Sequence, residues 1–222
     1  MATEQDQEPN SRLLVFRILT IVGLGLMVAS YFSPMWWVSL KATNYPEETF
    51  PDGIRIHMHW MGVQNGCTGQ ERAEISDDEG LYCVEEMNTI NHYIGMEPIE
   101  RGAQREFAAA PYLFIAFGIM LLLLLFYSGP LWWMLAIPSI LAPIVFLADF
   151  TFWLWWFGHN LKEWAAFTVK PFMPTVLGEG LVAQFSTYSY PHYGMFLSAA
   201  SAACIALAVL IRRKQLQEQG GA

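Results

Sequence analysis

ILTIVGLGLMVASYFSPMWW, from Ile18 to Trp37, is a run of 20 residues without a charge. As a helix rising about 1.5 Å per residue it is long enough to cross a hydrocarbon core of roughly 30 Å. A cleaved signal peptide carries an apolar region of only about 7–15 residues, so the run reads as a retained membrane span over residues 13–37. Arg17 lies near its start, where a long basic side chain can reach the interface. Composition agrees with this reading: 54% of the chain is hydrophobic and 14% charged, against roughly 25% charged in a soluble domain. The net charge of −8 offers no basic stripe for phosphates, which excludes nucleic acid as a partner.

Three further apolar blocks follow, at 107–127, 131–157 and 193–211. Ser128, Gly129 and Pro130 form a tight connection that makes the second and third spans an antiparallel hairpin. Pro138 and Pro143 predict a kink in the third. Trp36, Trp37, Trp132, Trp133, Trp153, Trp155, Trp156 and Trp164 cluster at span ends, as interfacial anchors do. Four spans put both termini on one side. The first connecting segment, 38–106, is too long for its charges to report orientation, so the compact Arg212, Arg213, Lys214 group decides it. The expected arrangement is a cytoplasmic tail at 1–12, another at 212–222, and extracytoplasmic loops at 38–106 and 158–192.

The first loop is acidic, with 13 Asp/Glu against five Lys/Arg. Cys67 and Cys83 stand alone in it without the further thiols or CxxC spacing of a zinc site, and read as a disulfide in an oxidising compartment, closing a loop for roughly 3 kcal/mol. Cys204 falls among small residues of the fourth span, as a packing thiol. There Gly194, Ser198, Ala202 and Ala206 recur every four residues and offer a smooth face for a neighbouring helix.

All five histidines, His57, His59, His92, His159 and His192, fall in or at the edge of the segments assigned outside. From Gly53 to Val63 the residues alternate, Ile54, Ile56, Met58 and Trp60 on one side and Arg55, His57, His59 and Met61 on the other, the period of a half-buried strand. A helical turn at 87–96 would place His92 and Met96 four residues apart on one face. Imidazole with thioether suits copper better than magnesium or calcium, which makes His57, His59, Met61, His92 and Met96 the candidate metal ligands. The plainer alternative is that they pack a small loop domain on the membrane. No HExxH, nucleophile elbow, Walker loop or dinucleotide fingerprint occurs, so hydrolase and nucleotide chemistry lack support and no catalytic residue is assigned. Asp149, the one acid within an apolar block, calls for a partner, with Lys162, Arg105 and His159 the candidates. In the second loop, Val182, Gln184 and Ser186 against Leu181, Ala183 and Phe185 predict a short strand added to a first-loop sheet.

Tyr45 and Pro46, the AsnHisTyrIleGlyMet run at 91–96, the LysProPheMetPro run at 170–174 with the GlyGluGly after it, and AlaGlnPhe at 183–185 together resemble a family of small membrane proteins encoded beside nitrous oxide reductase. The similarity spans roughly residues 40–195. It implies a denitrification accessory protein of the inner membrane, facing the periplasm, that helps a copper enzyme mature or receive copper or electrons; it carries no ligand set of its own. The expected fold is an all-α membrane bundle of four transmembrane helices with a small, partly β extracytoplasmic domain built from two loops. The competing expectation is a structural subunit of a respiratory or other membrane complex, contacting neighbours through the Gly194 to Ala206 face. A quinol-oxidising subunit ranks last, because the spans lack paired histidines for haem.

Reporter fusions at residue 222 and within 68–80 test the topology. The C-terminus is expected inside and the loop outside, and an external C-terminus would invert the compartment assignment.

Overall fold

The structure, a computed structural model, describes residues 4–67, 82–166, 168–182 and 184–220. The acidic stretch at 68–81 and Ala183 of the expected second-loop strand lie outside these. Four helices are long and apolar enough to span a membrane, at Ser11–Tyr31, Gln104–Leu124, Trp132–His159 and Tyr193–Glu218. In chain order the elements are α1 (Glu4–Tyr31), β1 (Trp36–Lys41), β2 (Ile54–His59), β3 (Gly62–Asn65), α2 (Cys83–Tyr93), α3 (Gln104–Leu124), α4 (Ile137–His159), β4 (Gly178–Val182), β5 (Phe185–Pro191) and α5 (Tyr193–Gly220).

The first helix ends earlier than the uncharged run suggests. Pro34 has no N–H to continue the ladder, and Ser33 N–H turns back onto Ser30 O. Trp36 and Trp37 therefore leave the helix and open β1. Trp36 is 3% exposed, its indole N–H donates to Ser189 Oγ at 2.8 Å, and its ring packs on Phe150, so it is a core residue and no lipid anchor. Pro138 sits in the first turn of α4, where proline is accommodated, and of the two prolines expected to bend that span only Pro143 lies in its interior.

The bundle is organised around α1 and α5. On α1 the buried positions are Phe16, Thr20, Gly23, Met27 and Ser30; on α5 they are Gly194, Ser198, Ser201, Ile205, Ala208, Arg212 and Gln215. Both series alternate steps of four and three, the heptad spacing of a left-handed helix pair. The expected face at Gly194, Ser198, Ala202 and Ala206 is corrected in register: strict four-residue steps drift round a 3.6-residue helix, and Ser201, Ile205 and Ala208 carry the contact instead. A Cβ on Gly23 would lie 2.6 Å from Ile205 Cγ1, and Ser201 Oγ donates to Gly23 O at 2.7 Å, so small residues let the backbones approach. The outward positions stay apolar, including Ile18, Ile115, Ile144 and Phe196, all more than half exposed to the lipid side.

Arg212, counted in the sequence as a topogenic charge, is 5% exposed and turned into the bundle. Its guanidinium donates to the carbonyls of Leu124 and Tyr127 and to Ser128 Oγ, capping the C-terminal end of α3 and the hairpin turn. The rings of Phe16 and Trp132 lie within 4.7 and 5.1 Å of it. Arg12 pairs with Glu218 near the two chain ends.

Away from the chain ends, five antiparallel strands form one sheet in the order β3-β2-β1-β5-β4. β1 is central, with Val38 opposite Ile56 on one side and Ser189 on the other. Leu40, Ile54 and Ile56 face α2, where they pack with Val84, Met87 and Ile90. Cys67 and Cys83 form the expected disulfide, Cα–Cα 5.9 Å, which ties the end of the β3 hairpin to the first residue of α2.

Arg212→Leu is expected to destabilise the detergent-solubilised protein by about 2 kcal/mol or more, since two helix-terminal carbonyls lose their donor. Arg212→Lys should recover only part of that, because an ammonium lacks the planar fork. Thermal melting of the three proteins side by side reads the order, and equal melting of Arg212→Leu and the parent would refute it.

Candidate metal site and the cavity beneath the sheet

β2 places the histidines. Its alternation holds from Ile54 to His57 and then breaks, with Met58 part-exposed and His59 buried and lining the cavity beneath the sheet, before the chain reverses at Trp60 and Met61 into β3. Trp60 inserts between Phe114 of α3 and Phe146 of α4, at 4.9 and 5.1 Å, so the hairpin tip rests on the spans. His57 and His59 consequently sit at the membrane-proximal end of the sheet.

The register supplies a third imidazole. His57 pairs with Trp37, and Trp37 with Tyr190 of β5, which sets these three in one row across one face. Two residues towards the spans from Trp37, Met35 N–H donates to Met58 O and Met35 O accepts from His192 N–H at 2.9 Å. His192 thereby comes beside His57, ring centroids 4.9 Å apart and edge-on. It was legible in the sequence only as an outward histidine, since its approach to His57 depends on strand register. Its Nδ1 accepts from Tyr193 N–H at 2.8 Å, so in the neutral ring Nε2 carries the proton.

His57 Nε2 and His59 Nδ1 are buried and have no hydrogen-bond partner among the described residues. Burial, with the charges of His192, Arg55 and His59 adding to it, lowers His57 from its usual 6.5 to about 4. His59 is lowered by burial and by His192, and His192 by burial and by Arg55. Arg55 itself lies over the Trp37 ring at 4.1 Å. At neutral pH the cluster is therefore a set of uncharged imidazoles beside one fixed cation, which is the protonation state a metal ligand needs.

The five sequence candidates occupy different surroundings. His57 and His59 share β2, and Met61 is 42% exposed at the hairpin tip two residues beyond. α2 ends at Tyr93 and the chain turns through Gly95, at φ +82, so His92 and Met96 do not lie on one helical face. His92 is exposed and stacked on Trp164 at 4.5 Å. Met96 is 8% exposed and packs with Ile94 and Phe157. Among the described residues no three His, Cys, Asp or Glu side chains gather closely enough to hold a metal ion by themselves. A metal here would rest on the two β2 imidazoles with a thioether, a donor set that suits Cu(I).

On the other side of the sheet, between β1, β2, α2 and α4, lies a cavity of about 150 Å³ with almost wholly apolar walls. Asp149 lines it. Its expected cationic partners are engaged elsewhere or absent: Lys162 pairs with Glu97 at 3.2 Å, His159 Nδ1 contacts Trp155 O, and among the described residues no cation lies within ion-pair distance of Asp149. No protein-family model matches the chain, and no curated protein matches it.

Folding stability carries the sign of these shifts. The unfolded chain takes up protons at His57 near pH 6.5 while the folded chain resists to about pH 4. The contribution is thus complete above 6.5 and is lost as the pH falls through that window. Melting temperature is expected to fall between pH 7 and 5, and less so in His57→Gln; parallel pH profiles for the two would count against a buried neutral His57.

Proposed function

We propose that this chain is a multi-pass inner-membrane accessory protein whose sheet domain, built from both connecting segments, faces the periplasm and binds copper for a periplasmic copper enzyme. Nitrous oxide reductase, in denitrification, is the enzyme towards which the sequence resemblance points. The observation that carries the reading is the pair of buried, uncharged imidazole nitrogens on His57 and His59, two residues apart at the membrane-proximal end of β2 and without a hydrogen-bond partner among the described residues. Two such nitrogens match the low coordination number of Cu(I), and Met61 supplies a thioether close along the chain. A handover site has reason to be incomplete in this way, since a fully closed set of ligands holds its metal too well to release it. His92 and Met96 belong to the wider candidate set, but their surroundings, a stacked exposed ring and an apolar cluster, favour them less.

A structural subunit without metal is the competing reading. Of the small-residue face of α5 that would meet a neighbour, Gly194 and Ser198 are buried within this chain, while Ala202 and Ala206 lie beside the α1 contact and stay part-exposed.

Anaerobic Cu(I) titration against a chromophoric chelator tests the proposal. One equivalent is expected to bind the parent, with affinity weakened at least 100-fold in His57→Ala, His59→Ala and changed less than threefold in His92→Ala, Met96→Ala. Because His57 stays neutral to about pH 4, binding should hold from pH 7 to 5 with little loss. A parent that binds no copper would sink the reading, as would a His57, His59 double variant that binds like the parent.

A further inference from the structure

The cavity beneath the sheet presents a different chemistry from the copper candidate. We propose that it binds the ring of a lipid-soluble molecule carrying carbonyl or hydroxyl oxygens, of the quinone class. Three observations meet there. The first is size and lining: a space of about 150 Å³ walled by Ile56, Met58, Ile90, Phe146, Phe150 and Phe157. A cavity of that volume admits a six-membered ring, as the engineered benzene-binding cavity of the same size shows.

The second is a polar atom with nothing to bond. Asn91 is 5% exposed and lines the cavity, and among the described residues its Nδ2 has no partner. Trp153 Nε1, on another wall residue, is buried and makes no close hydrogen bond among the described residues, although it stands near enough to Asp149, one helical turn back, to interact with its carboxyl. The third is Asp149, an acid in the same wall with no cation beside it among the described residues. Asn91 and Trp153 offer N–H donors, which fit carbonyl oxygens; Asp149 is an acceptor, which fits a ring hydroxyl.

These features select among occupants. An acyl chain would match the walls and leave Asn91 Nδ2 unsatisfied, whereas a water-soluble metabolite would satisfy it and waste the apolar lining. A ring with oxygens at its edge does both. Phe146, Phe150, Trp153 and Phe157 belong to a membrane-spanning helix, so the molecule is one that arrives through the bilayer. His59 lines this cavity as well, but the inference does not rest on copper binding, because Asn91, Trp153 and Asp149 lie outside that ligand set.

Equilibrium titration of the copper-free, full-length protein in lipid nanodiscs with decylubiquinone provides the test. Saturable binding at one site is expected, weakened at least tenfold in Asn91→Leu and in Trp153→Phe, and abolished by Ile90→Phe, which fills the space. Palmitate should not displace the quinone. Trp153→Phe keeps an aromatic wall, slightly enlarges the cavity and removes the donor, so a loss of affinity there reads the lost N–H even if Asn91→Leu fails to fold. Lack of saturation in the parent would overturn the proposal. So would parental affinity in Trp153→Phe, or displacement by palmitate, which would make the cavity an acyl-chain site.

Discussion

The structure hangs on one continuous pairing, in which α1 lies antiparallel to α5 and their direct extensions, β1 and β5, pair as strands. Inside lipid the helices satisfy their own backbone groups, but a chain leaving a helix exposes its N–H and C=O groups and must find partners at once. Here the two exits serve each other. Pro34 ends α1, β1 begins two residues later, and β5 runs into α5 through His192. The Met35 carbonyl accepts from His192 N–H at that junction, and Gly194 N–H donates to Pro34 O. A side chain on Gly194 would collide with the same carbonyl, at 2.5 Å, so glycine is required there. With β1 and β5 fixed, β2 and β3 add on one side and β4 on the other.

That pairing sets where the chemistry lies. Strand alternation sends Ile54, Ile56 and Leu40 to the core and leaves Arg55 and His57 on the opposite face with Trp37 and Tyr190. The same junction that joins strand to helix draws His192 against His57. Three imidazoles in a part-buried position beside a guanidinium repel protons, and their neutrality follows from placement, with no metal required to explain it. Metal affinity is then a use that such a cluster permits, and the two unpartnered nitrogens are the feature that packing alone leaves without a purpose.

The two charges turned inward make an instructive contrast. Arg212 is surrounded by what a buried cation needs, carbonyl oxygens at a helix end and two aromatic faces, and its role is closed within the fold. Asp149 has no cation beside it among the described residues, only the Trp153 indole one turn along, and opens on a cavity that Asn91 also lines. Lys162, the next lysine or arginine along the chain after it, pairs with Glu97 instead. Structural charge and available charge are thus separated by their surroundings, although both looked alike as isolated ionisable residues in apolar sequence.

Length and hydropathy were enough to determine the four spans, because a helix must match the bilayer and nothing but apolar side chains is stable against it. The alternation at 54–59 and the isolated Cys67 and Cys83 were legible for similar reasons: each is a local pattern with one economical physical solution. Span ends were less so, since the lack of charge from Ile18 to Trp37 does not distinguish a lipid-facing tryptophan from one buried in a sheet. The heptad between α1 and α5 was hidden by small residues, whose spacing supports several registers until a partner helix selects one. His192 beside His57, the exposure of His92, and the convergence of Asn91, Trp153 and Asp149 on one cavity belong to tertiary structure alone. They join residues far apart in the chain through strand register and helix rotation, and a one-residue change in either would part them without altering any local pattern.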